Sequence, residues 1–154
     1  MSSILTTFSI ENPVFISYIH CAVILILKMF CMAPVTVLRR LKRKVFANHE
    51  DLRYGHDSTI KPKFGDPEIE ICRSAHRDDA ENILPFIVAG FFYVLTNPEP
   101  FLAINLFRVT CVARIAHSLL YITMFLPQTA RSLTWIVCFG STVYMSVKSA
   151  LYFY

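Results

Sequence analysis

Long apolar runs alternate with short polar breaks along most of this chain. The first extends from Val14 to Val37, preceded by Pro13 and interrupted by His20, Lys28 and Pro34. At 1.5 Å per residue, a helix over this run is long enough to cross a hydrocarbon core of about 30 Å. The second run, Asn82–Thr96, would span only about 22 Å as a helix. A crossing there requires the helix to begin earlier, around Arg73–Glu81, with its charged turn held away from lipid. Pro85 predicts a kink, and Asn97-Pro98-Glu99-Pro100 predicts a tight turn that ends the span. The third run, Phe101–Phe125, carries Arg108, Arg114 and His117. After the break at Leu126-Pro127-Gln128, the fourth run, Ser132–Tyr154, carries Lys148. The pattern predicts a single all-α membrane domain over residues 1–154, an up-down bundle of four transmembrane helices. Its expected spans are about 14–37, 74–96, 101–125 and 132–153, with a cytosolic loop over about 39–73.

The distribution of charge strengthens that reading. Arg39–Glu81 holds 10 of the 15 Lys/Arg and 9 of the 11 Asp/Glu. The rest of the chain has only Glu11, Lys28, Glu99, Arg108, Arg114, Arg131 and Lys148, too few to coat the outer faces of a soluble domain. A disordered chain and a nucleic-acid binder working through the modest +4 charge are excluded on the same ground. Cys21, Cys31, Cys111 and Cys138 lie in apolar runs, and Cys72 lies in the charged segment. The odd count and the absence of metal-type spacing mark them as small buried hydrophobes, and no metal is expected. Arg39, Arg40, Lys42, Arg43 and Lys44 follow the first span directly. The positive-inside rule therefore places that end of the bundle in the cytosol and both termini in the lumen.

Ionisable residues inside a span are functional candidates by default. Arg114, His117, Ser118 and Tyr121 recur at helical spacing, so they share one face in the cytosolic half of the third span. His76, Arg77 and Glu81 lie at the cytosolic start of the second, Arg39 ends the first, and Arg131 opens the fourth. Two readings stand side by side. An ion pair between Glu81 and Arg114 would stitch helices together. Alternatively, an excess of arginine around one carboxylate suits a small anion that also bears an ammonium group, because Arg binds carboxylates bidentately. Lys28, Arg108 and Lys148 are expected to be structural, Lys28 by snorkelling or by pairing inside the bundle.

Three longer stretches carry a resemblance. Arg43-Lys44-Val45-Phe46-Ala47-Asn48-His49-Glu50-Asp51 is similar to a pattern R/K-K-x-F-A-N-P-E-D. Ala75-His76-Arg77-Asp78-Asp79-Ala80-Glu81-Asn82-Ile83-Leu84-Pro85-Phe86 resembles A-H-x-N-D-x-E-N-I-x-P-F, and Ala113-Arg114-Ile115-Ala116-His117-Ser118-Leu119-Leu120-Tyr121 resembles A-R-x-x-H-[TS]-x-x-Y. Pro127-Gln128-Thr129-Ala130-Arg131-Ser132-Leu133 looks like P-Q-P-x-R-[AS]-L. Together these patterns resemble the membrane-associated eicosanoid and glutathione metabolism family, in particular its glutathione transferase branch of insect type. The resemblance implies a homotrimer in the endoplasmic reticulum membrane and the mitochondrial outer membrane, with glutathione bound between subunits on the cytosolic side. Glutathione would be the co-substrate, and lipophilic electrophiles or hydroperoxides would approach through the bilayer. It implies glutathione contacts from Arg39, Arg73, His76, Asp78, Glu81, Arg114 and Tyr121, and a thiolate-stabilising catalytic role for Arg131. A catalytically inactive membrane scaffold and a glutathione-dependent prostaglandin E isomerase are the alternative members. Ser74 stands where the family has a second arginine, Asp78 where it has an asparagine, and His49 where it has proline. Leu52 occupies the position of a thiol-activation cysteine in some relatives, so that regulation is expected to be absent unless Cys72 substitutes.

Overall fold

A computed structural model of the protein describes residues 6–45, 65–123 and 128–154. The motif residues from Phe46 to Asp51, with His49 and Leu52, lie outside the described residues, as does Pro127. Helix α1 runs Pro13–Arg43, α2 Pro67–Leu95, α3 Pro100–Thr123 and α4 Gln128–Phe153.

Each helix start reflects local chemistry. Asn12 caps α1, its side-chain oxygen accepting from Val14 N at 3.0 Å, and Pro13 occupies the first turn, where its missing N–H is not needed. At the other end Lys44 adopts the left-handed conformation (φ 52°), and Val45 N donates to Arg40 O at 3.0 Å. Pro34 lies inside α1 and does not end it, so the helix continues through the basic residues that were expected to follow it. Helix α2 begins at Pro67 rather than near 74, because Asp66 caps it and Glu68 and Glu70 favour the positive end of the helix dipole. Glu99 caps α3, accepting from Phe101 N and Leu102 N at 2.9 and 2.7 Å.

Helices α1, α3 and α4 are each long and apolar enough to cross a membrane. The charged first half of α2 keeps it out of that group, but the topology makes it cross with them. Arg43 at the end of α1 pairs with Glu68 at the start of α2, and Arg39 reaches Ile122 O near the end of α3 at 3.4 Å. The two ends of α2 therefore lie at opposite ends of the bundle. Large apolar side chains such as Leu27, Phe30, Val112, Leu133 and Leu151 are mostly exposed, a surface that suits lipid and not water.

The core sits in the half of the bundle away from the charges. Phe107 is fully buried and meets the rings of Tyr18, Phe86 and Tyr93. Tyr18 Oη donates to Ile87 O at 2.8 Å. A Cβ on Gly90 would lie 2.8 Å from Tyr18 Cε2, so α1 and α2 can approach this closely only with glycine there. Gly90→Ala is expected to lower stability by about 1–3 kcal/mol, because the ring must leave its hydrogen bond to make room. The thermal unfolding midpoint in detergent measures this. A midpoint above that of the parent would show that the helix propensity of alanine outweighs the clash.

Candidate functional site

Two linked polar groups occupy the basic half of the bundle. The inner group joins three helices. Lys28 of α1 donates to Asp79 of α2 and to Ser118 of α3; it also donates to Arg114 O at 3.2 Å. Ser118 Oγ donates to the same Asp79 oxygen at 2.8 Å. Asp79 is fully buried. An ammonium and a hydroxyl both meet its Oδ1, which makes a carboxylate tolerable there, while Oδ2 finds no partner among the described residues. Lys28 thus pairs internally, one of the two fates expected for it.

The outer group begins one residue away. Arg114 Nη1 donates to Asp78 Oδ2 at 2.9 Å. His117 Nε2 lies 3.1 Å from that oxygen, too poorly aligned for a hydrogen bond. On the other side of the ring, His117 Nδ1 is 3.1 Å from Arg131 O and 3.0 Å from Thr134 Oγ1. A protonated Nδ1 donates to the carbonyl, and an unprotonated Nδ1 accepts from the Thr134 hydroxyl; either tautomer makes a contact to α4. His117 therefore ties α3 to the first turn of α4. The Arg131 guanidinium lies over the Tyr121 ring, 4.4 Å from its centroid, a cation–π contact that sets its position.

The sequence left open whether Glu81 pairs with Arg114, and the structure gives that role to Asp78. Asp79 defines the inward face of α2. At 100° per residue Asp78 flanks that face, whereas Glu81 lies about 200° round the helix and is exposed. Lys28 and Arg114 balance Asp79 and Asp78, so the centre is close to neutral. Arg114 Nε and Nη2 still find no acceptor among the described residues although the side chain is 1% exposed, which leaves two guanidinium donors available to a ligand.

A cavity of about 300 Å³ opens beside this group, lined by Asp78, His117, Tyr121, Gln128, Arg131, Ser132, Trp135 and Ile136. Its size is at the low end for a ligand pocket. Of the expected site residues, Asp78, Tyr121 and Arg131 line this cavity, and Arg114 adjoins it through Asp78. The others are elsewhere in the single chain. Arg39 lines a separate cavity at the ends of α1 and α3. Arg73, His76 and Glu81 are exposed along one outer stripe of α2, with Arg73 paired to Glu70 at 2.8 Å. Lys28 was expected to be structural, Asp79 was not singled out, and His117 was grouped with Arg114 on one face but given no ligand contact. The spacing of His117 from Arg114 was the signal for it; nothing in the sequence pairs Lys28 with Asp79. Among the described residues, no group of three or more His, Cys, Asp or Glu side chains could hold a metal ion. The five cysteines are free thiols, and Cys31 is the exposed one.

Four helices, a lipid-compatible exterior and a charged centre at one end define a helical integral membrane protein with an arginine-bearing cavity between its helices. The chain belongs to the MAPEG family, whose model matches residues 18–151. It is 40% identical to human microsomal glutathione S-transferase 1 over 147 residues, 92% of this chain and 94% of that protein. It is 38% identical to the rat protein of the same name over 148 residues, 92% and 94% of the two chains. Human prostaglandin E synthase is 38% identical over 126 residues, 81% of this chain and 80% of that one.

Proposed function

We propose that this protein is a membrane-bound glutathione transferase that joins the glutathione thiolate to lipophilic electrophiles, and that it reduces lipophilic hydroperoxides to alcohols and water with two glutathione molecules, which leave as the disulfide. The observation that carries this reading is the cavity at the start of α4, where Arg131 lies over Tyr121 beside His117 and Asp78. Glutathione bears two carboxylates and one ammonium group; Arg114 and Arg131 are complementary to the carboxylates, with Asp78 competing for Arg114, and Glu81 is complementary to the ammonium group. The guanidinium of Arg131 and the nearby N-terminus of α4 favour a thiolate over a thiol. The thiolate sulfur attacks the electrophilic carbon, a carbon–sulfur bond forms, and the leaving group departs with its electron pair. No protein nucleophile takes part. Trp135 and Ile136 give the cavity an apolar wall facing the lipid side of α4, the direction from which a lipophilic substrate arrives.

The assembly proposed is a homotrimer in the endoplasmic reticulum membrane and mitochondrial outer membrane, with the basic end in the cytosol. Arg73, His76 and Glu81 on the outer stripe of α2, and Arg39 at the end of α1, then reach glutathione from neighbouring copies. Purified protein should conjugate glutathione to a chlorinated dinitrobenzene. Arg131→Ala should lower kcat/KM by about 100-fold, the scale of losing one preorganised charge-stabilising group. A protein that binds no glutathione at millimolar concentration in calorimetry sinks the proposal. The similarity to prostaglandin E synthase supports a second reading, a glutathione-dependent isomerase. A product assay with an endoperoxide substrate separates the two.

A further inference from the structure

Of the basic residues at the end of α1 the proposed glutathione site draws on Arg39 alone, and Lys42 and Arg43 carry chemistry that it does not use. Arg39, Lys42 and Arg43 recur at i, i+3 and i+4, so they project from one face of the helix. With Glu68 of α2 and Ile122 and Thr123 of α3 they line a cavity of about 540 Å³. It shares no lining residue with the cavity around Arg131. Glu68 is the one carboxylate among the described lining residues, and Arg43 already pairs with it and lies 3.9 Å from Asp66 Oδ2 just outside the lining. Lys42 has no carboxylate partner among the described residues. Arg39 turns inward, with only a 3.4 Å contact to Ile122 O. The lining therefore holds more positive charge than it neutralises.

The depth of this cavity is informative as well. It lies where α1 and α3 end, and the ends of membrane-crossing helices meet the lipid headgroups. One turn toward the membrane centre, α1 presents half-buried Val35 beside exposed Leu38, and α3 presents Leu119, 58% exposed. Cationic side chains thus stand directly above apolar surface. A soluble anion gains nothing from the apolar part, whereas a phospholipid satisfies both, with its phosphate among the cations and its acyl chains along α1 and α3.

We propose that the cavity formed by the ends of α1 and α3 and the start of α2 binds an anionic phospholipid, with Lys42 and Arg43 holding the headgroup phosphate. The test uses the full chain in nanodiscs of phosphatidylcholine mixed with phosphatidylinositol. Native mass spectrometry after release counts the phosphatidylinositol that stays bound. The parent protein is expected to retain it in preference to phosphatidylcholine. Lys42→Ala with Arg43→Ala should weaken retention roughly thirtyfold, the combined effect of two surface cations. Lys42→Ala alone should weaken it roughly fivefold, and Lys42→Arg should preserve it. Because Lys42 is exposed and has no carboxylate partner among the described residues, the single variant carries the test if the double variant fails to fold. Lys148→Ala, at the opposite end, should leave retention unchanged. Equal retention by parent and Lys42→Ala, an equal loss in Lys148→Ala, or displacement of the lipid by millimolar inorganic phosphate overturns the proposal.

Discussion

Asp79→Ala is expected to destabilise this protein by about 3–5 kcal/mol, the range seen when one member of a buried ion pair is removed. The magnitude follows from what is left behind. Asp79 is 0% exposed, and the Lys28 side chain that it holds is 14% exposed. Without the carboxylate, Lys28 keeps a hydroxyl and a carbonyl, neither of which neutralises an ammonium group in a low-dielectric interior. The same loss removes the polar ties of α2 to Lys28 of α1 and to Ser118 of α3. The pair itself is not expected to be strongly stabilising, since taking both charges out of water offsets most of their attraction. Lys28→Met combined with Asp79→Leu should therefore recover most of the stability lost in either single variant. Thermal unfolding of the four proteins in detergent forms a double-mutant cycle. If the double variant is as unstable as the sum of the singles, the pairing account is wrong.

The second large effect has two readouts that move in opposite directions. Asp78→Asn should raise glutathione affinity about ten- to 150-fold while lowering the unfolding midpoint. In the free protein Asp78 neutralises Arg114, whose side chain is 1% exposed while that of Asp78 is 23% exposed. The carboxylate can be hydrated in part, but the guanidinium cannot. Taking the anion away therefore leaves a buried cation short of a partner and destabilises the unliganded chain. The same change removes a fixed negative charge from the cavity and frees Arg114 to accept a ligand carboxylate. One charge-assisted hydrogen bond of about 1.5–3 kcal/mol sets the affinity range. Calorimetric titration with glutathione and an unfolding curve on the same preparation decide it. If affinity falls with stability, Asp78 contacts the ligand favourably and does not compete with it. The variant also addresses the inactive-scaffold alternative, since a parent protein that is inactive because of Asp78 should gain activity with asparagine.

Much of the architecture could be read from the run of residues. Crossing a bilayer requires about twenty apolar residues in sequence, a one-dimensional property, so α1, α3 and α4 were visible in composition alone. For α2 the apolar run was too short, and the need for an earlier start was legible. The actual start at Pro67 depended on the cap at Asp66 and the acidic first turn. Arg114, His117, Ser118 and Tyr121 were placed on one face by period alone, and α3 presents them to the centre of the bundle. The position of Arg131 near Tyr121 followed from topology, because a short turn between α3 and α4 brings their ends together.

Partner choice was not legible. Asp78, Asp79 and Glu81 are three carboxylates within four positions, and their sequence does not say which of them meets a cation. That depends on which arc of α2 faces α1 and α3, a rotation set by packing around Phe107, Gly90 and Tyr18 in the other half of the bundle. A rotation of one residue, about 100°, would exchange the partners. Lys28 illustrates the point: from sequence it could snorkel or pair, and only the position of Asp79 opposite it decides. The sequence by itself determined the helices, their order and the end of the bundle where charge collects, because length, apolar content and helical period are local properties. Tertiary structure alone decided which charges neutralise each other and which remain for a ligand, because an ion pair between helices depends on their mutual rotation and separation.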